Sequence, residues 1–149
     1  MRTDLIRTET TTMARMIGAA SLVLASIGAS IAASPAQVSL FDRYVAAAKA
    51  EPGYTGPSAE RGRAFFFASH AGGKADTPAC TACHTSNLAG AGETKAGKPI
   101  EPMAASVAPT RYTDPDIVEK WFRRNCRDVL GRACSAAEKA DVLAYLLSL

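Results

Sequence analysis

The chain has 149 residues, with 17 Lys and Arg against 14 Asp and Glu, a formal charge of +3, and 48% apolar residues. A balance so near neutral, without an extended basic face, argues against nucleic-acid binding. Beyond an apolar N-terminal run, the length suits one small domain.

Arg2, Arg7 and Arg15 precede an uncharged run from Met16 to Val38 that ends among small residues, the pattern of a secretory signal peptide. A retained anchor is the weaker reading. Gly18, Ser21, Ser26, Gly28, Ser30 and Ser34 dilute the run, and no stop-transfer charges follow it at once. Ser30 and Ala32 offer the small residues a signal peptidase requires, so residues 1–32 are expected to be cleaved. Residues 33–149 would remain as one exported, periplasmic domain without stable membrane insertion. Asp4, Glu9 and the Thr run are unusual in such a leader, and translation from Met13 is the alternative start.

The apolar pattern of 33–149 is helical, and no segment has a convincing period of two, so an all-α fold is expected. A first helix opens near Pro35, carries Leu40, Phe41, Tyr44, Val45 and Ala48, and ends before Pro52-Gly53. Ser58 caps a second, with Gly62, Phe65, Phe66 and Ala68, which Gly72-Gly73 is expected to stop. Cys80-Thr81-Ala82-Cys83-His84 follows, then an aperiodic Gly- and Pro-rich stretch from about Asn87 to Pro109. So irregular a stretch suits a compact domain if it wraps something. Thr113-Asp114-Pro115-Asp116 starts a helix through Ile117, Val118, Trp121 and Phe122, and Ser135-Ala136-Ala137-Glu138 is a capping box for a last helix with Val142, Leu143, Tyr145, Leu146 and Leu149. About Arg124 to Cys134 reads as the loop between those two.

Two thiols three positions apart, followed at once by an imidazole, suit covalent attachment of one haem c. Cys80 and Cys83 would add to the vinyl groups at one porphyrin edge, and the turn between them would place His84 under the iron. Zinc held by the four cysteines is disfavoured by secretion and by the missing second C-x-x-C, and a redox dithiol by the missing βαβ surroundings. The order of parts resembles class I cytochromes c over roughly 58–149. That resemblance implies crossed first and last haem-core helices, with Gly62 permitting close approach and Phe66 and Tyr145 filling the joint.

Class I cytochromes c place a methionine in the loop between the last two helices, and here that loop has none. The candidates for a sixth ligand are Asn125, a thiolate of Cys126 or Cys134, Met103, or no protein group. An even leftover cysteine pair in a secreted protein most often forms a disulfide, which would use Cys126 and Cys134. Met103 precedes the penultimate helix, so packing is its expected role, and His70 is expected at the surface or the haem edge. Arg111, Tyr112, Trp121 and Arg124 have side chains suited to haem propionates. The clustered Arg123, Arg124, Arg127 and Arg132 read as a solvated face or propionate partners ahead of a docking patch.

Glu60-Arg61-Gly62-Arg63-Ala64-Phe65, Gly72-Gly73-Lys74, Asp76-Thr77-Pro78, the Cys80–His84 motif, Val118-Glu119-Lys120-Trp121, Arg124-Asn125-Cys126 and Glu138-Lys139-Ala140-Asp141 together resemble the sphaeroides haem protein family of high-spin, ligand-binding cytochromes c. The family's motif need not carry Thr81-Ala82, a departure without consequence because those positions only bridge the thiols. The resemblance implies Asn125 as a weak, displaceable sixth ligand and a Cys126–Cys134 disulfide beside it. It also implies a diatomic gas ligand, oxygen or nitric oxide, and a redox partner such as a dihaem cytochrome c. The rival expectation is a low-spin electron carrier with His84 and Met103 on the iron. Enzymatic turnover of nitric oxide with oxygen is a third, for which no general acid or base argues.

Overall fold

The computed structural model describes residues 33–149, and the expected signal segment lies outside them. Helix α1 (Pro35–Ala48) starts at a capping box in which the Ser34 hydroxyl accepts from Gln37 N and the Gln37 side chain accepts from Ser34 N, with proline in the first turn. Helix α2 (Ala59–Phe67) starts at Ser58, whose hydroxyl accepts from Arg61 N. It ends at Ala68, before Gly72-Gly73. Those glycines therefore do not stop it; they serve a later contact.

A single turn, α3 (Thr81–His84), carries the cysteine motif. The irregular stretch holds a two-stranded antiparallel hairpin, β1 (Gly92–Glu93) with β2 (Pro99–Ile100), too short for any alternating pattern to register. The rest of the stretch docks on the chain's end. Leu88 O accepts from Met103 N and Ala104 N, Ala105 N donates to Leu146 O, and Ser106 N to Leu149 O.

Helix α4 (Pro115–Leu130) is capped by Asp114, which accepts from Asp116 N and Ile117 N, and closes on Gly131 in the left-handed conformation (φ 71°). It is longer than expected. The span read as a loop from Arg124 is helical to Leu130, because Cys126, Val129 and Leu130 continue the apolar face of Phe122 and bury it with Cys134 and Phe65. Helix α5 (Ala136–Leu147) begins with the Ser135–Glu138 capping box, and Glu51 adds its carboxylate to the same end, accepting from Ala136 N and Ala137 N.

Helices α1 and α2 both pack on α5. Leu40, Phe66, Leu88, Ala105, Tyr112, Val142, Leu143, Tyr145 and Leu146 form the main core, and Cys126, Val129, Leu130 and Cys134 form a second cluster. The buried Gln37 amide donates to Pro109 O and Arg111 O, tying α1 to the chain that presents Arg111 and Tyr112. Among the described residues, no helix is long and apolar enough to cross a membrane.

Candidate haem and ligand site

The turn of α3 is closed by Cys80 O, which accepts from Cys83 N and His84 N, so both thiols and the imidazole project from one short segment. Cys80 and Cys83 are free thiols and half-buried. Burial pushes the Cys80 thiol up to about 11. Burial, then the nearby Arg111 charge, lowers the His84 imidazole to about 4. His84 is thus neutral at physiological pH, the form that offers a lone pair to a metal. A Cβ on Gly92 would overlap Cys83 O, so the hairpin backbone lies directly behind the motif. The Phe66 ring sits 6.0 Å from the His84 ring, centroid to centroid.

Two residues other than glycine have left-handed backbone among those described, Thr85 (φ 60°) and Tyr112 (φ 62°). Such a conformation is costly for a β-branched or bulky residue and persists where the surroundings impose it, often at functional sites. Here the two adjoin His84 and Arg111.

Among the described residues, three buried side-chain polar atoms lack hydrogen-bond partners: Tyr54 Oη, His84 Nδ1 and Arg111 Nε. Buried donors of this kind normally find acceptors, so each marks an unmet demand. A haem fits this donor set. It would take up two thiols and a neutral imidazole, and its propionates would give Arg111 Nε an acceptor, beside the bond that Nη2 already makes to Glu101 O at 2.9 Å. His84 Nδ1 thus meets no carbonyl that would orient the ring, and the Gly92 backbone packs against the backbone of Cys83 and His84.

Asn125 lies on α4, not on a loop. It shares a helix face with Ile117 and Trp121 at four-residue intervals. Ile117 and Trp121 are exposed, Asn125 is half-buried, and its amide makes no hydrogen bond to the described residues. The Arg124 guanidinium stacks 5.2 Å from the Trp121 ring centroid. Next to Asn125, Cys126 is bonded to Cys134 across the turn from α4 to α5. Cys80 and Phe65 pack against that disulfide cluster, which joins the attachment motif to the end of α4. Met103 is packed against the main core, and its carbonyl accepts from Tyr112 Oη at 2.6 Å. His70 Nε2 bonds with Phe65 O, and its ring lies 4.7 Å from the Phe65 ring.

Arg111 thus lies near His84 and Tyr112 packs in the main core, whereas Gln37, Thr77 and Gly92 are structural contributors that the sequence did not single out. Nothing local distinguishes Gly92 from Gly90 and Gly97 in the same stretch.

A mostly helical fold around a C-x-x-C-H turn, with a neutral, largely desolvated imidazole, defines a c-type cytochrome. A family model described as a domain of unknown function (DUF1924) matches residues 52–146. Cytochrome c-type protein SHP of Cereibacter sphaeroides is 49% identical over 126 residues, spanning 85% of this chain and 92% of that protein. Cytochrome c″ of Methylophilus methylotrophus is 42% identical over 100 residues, 66% of this chain and 69% of its own length. Among solved structures, oxidised SHP, described as an oxygen-binding cytochrome c, aligns at a TM-score of 0.68 and 48% identity, covering 77% of this chain and 96% of its own. Oxidised cytochrome c″ aligns at 0.61 and 39%, covering 75% and 93%. The chain belongs to the SHP family of cytochromes c, and its cofactor is one covalently attached haem c.

Proposed function

We propose that this is an exported monohaem cytochrome that takes up a diatomic molecule, oxygen or nitric oxide, at a site guarded by Asn125, and that exchanges electrons with another cytochrome. Cys80 and Cys83 would hold the porphyrin as thioethers, His84 would bind its iron, and Asn125 would be the displaceable second protein ligand. When bound, the haem supplies an iron that accepts a small ligand and cycles between ferric and ferrous states. The observation that carries the reading is the Asn125 amide. It is half-buried without a hydrogen-bond partner among the described residues, one residue from a disulfide whose cluster also packs Cys80.

An amide oxygen is a neutral, hard donor, weaker toward ferrous iron than a thioether or imidazole. It suits a ligand that holds ferric iron and yields on reduction. The Cys126–Cys134 bridge limits how far the turn travels when it yields. Arg111 would hold a propionate, and its charge helps keep His84 unprotonated. The oxygen binding described for the SHP structure supports a diatomic ligand. A dihaem cytochrome c is the redox partner the family resemblance implies, with periplasmic location following from the 1–32 leader.

Near-infrared spectra of the ferric protein separate this reading from the electron carrier. No thioether charge-transfer band is expected, and Met103→Leu should leave the spectrum unchanged. A band that Met103→Leu abolishes would establish the electron carrier instead.

A further inference from the structure

The last carbonyls of a helix have no partners within it, and the final turn ordinarily frays. At the end of α4 the segment between α2 and the cysteine motif closes over them. Gly73 passes so near the Asp128 and Val129 backbone that a Cβ would overlap it, and Gly72 (φ +101°) lies against Leu130 O. Asp128 O accepts twice from this strap, from Lys74 N at 2.7 Å and from Thr77 Oγ1 at 3.0 Å. Thr77 is buried, and Cys80 follows three positions later. The Lys74–Asp128 ion pair on the outside, 2.8 Å long, is mostly exposed and adds little.

We propose that Thr77 and Gly73 are positioning residues for the distal ligand. By fastening the C-terminal turn of α4 to the segment that bears the covalent anchor, they hold the Asn125 amide at the iron. A weak donor keeps its place only if little ordering remains to be done when it binds, and the strap supplies that order in advance. The proposal rests on Asn125 being the displaceable ligand. Thr77→Val removes one donor yet leaves Asp128 O bonded to Lys74 N, so the fold survives the test.

Azide titration of the ferric holoprotein, followed in the Soret band, reads how firmly the amide holds. Thr77→Val is expected to tighten azide binding about fivefold, the weight of one net hydrogen bond. Thr77→Ser should restore the wild-type affinity. Asn125→Ala alone should tighten binding, and adding Thr77→Val to it should change nothing more. Gly73→Ala should act in the same direction more strongly; if it does not fold, the Thr77 series decides. Unaltered azide affinity in Thr77→Val, with only its melting temperature lowered, would overturn the proposal, as would equal tightening in the Asn125→Ala background. An Asn125→Ala variant with wild-type spectrum and azide affinity would instead refute Asn125 as ligand, and the strap's role with it.

Discussion

Gly62 of α2 and the Asp141 carbonyl of α5 approach so closely that no side chain fits between them. This contact sets how deeply the helices cross. The Asp141 carboxylate secures it, accepting from Ser58 N at 2.7 Å and from Arg61 Nε and Nη2 at 2.7 and 2.8 Å.

Gly62→Ala must therefore push α2 off α5, because the obstacle is backbone that cannot rotate away. A loss of about 1–3 kcal/mol is expected, as for other overpacked interiors. Urea unfolding of the holoprotein should show an earlier midpoint at an unchanged slope. Wild-type stability in this variant would contradict the packing.

Protein taken from the periplasm should begin near Ala33, carry the mass of one haem, and expose no alkylatable thiol until reduced. Cys126 and Cys134, eight positions apart, close a short loop whose bridge is worth about 2.6 kcal/mol in the chain-entropy model. A retained N-terminus would remove the leader assignment, a missing haem mass the attachment site, and two freely labelled thiols the bridge.

Glu138 accepts from Ser135 N at 2.8 Å and from both terminal nitrogens of Arg132 at 2.7 and 2.8 Å. The Arg132 hydrogen bonds, foremost, hold its carboxyl below the usual range, against the opposing pull of partial burial. A carboxyl with a lower folded than unfolded pKa stabilises fully above its unfolded value, and that stability fades as pH falls through the folded one. Glu138→Gln should be less stable than wild type near pH 7 by under about 1 kcal/mol, because solvent around the mostly exposed Arg132 screens the pair. The gap should close below about pH 4. A gap independent of pH would show that the charge is not what matters.

The starts of the helices are legible in the sequence because Ser58, Asp114 and the Ser135–Glu138 box carry their function in their own side chains. The end of α4 is not. The helical pattern read from the sequence stops at Phe122, and the burial that keeps the rest helical comes from Phe65 and Cys134, far off in sequence or across a turn. Gly72 and Gly73 have a stop signal's composition, yet their use is to approach α4 some fifty positions later, which local pattern does not encode. Gln37 and Thr77 are polar residues buried on distant carbonyls, and nothing nearby announces them. Cys80, Cys83 and His84 stand out because their spacing is itself the chemistry. Asn125 has no such spacing, and it is singled out from the other candidate ligands only by the family resemblance.

Carbon monoxide binding to the dithionite-reduced protein, with Asn125→Ala beside it, tests whether a weak amide donor guards the iron. The reduced wild type should bind carbon monoxide readily, because a neutral oxygen donor is held weakly by ferrous iron and little must be displaced. Asn125→Ala should keep its fold and covalent haem through Cys80, Cys83 and His84, alter the ferric spectrum far more than the ferrous one, and bind carbon monoxide at least as fast. A six-coordinate reduced protein inert to carbon monoxide, with Asn125→Ala spectrally silent in both oxidation states, would contradict the account and leave the electron carrier standing.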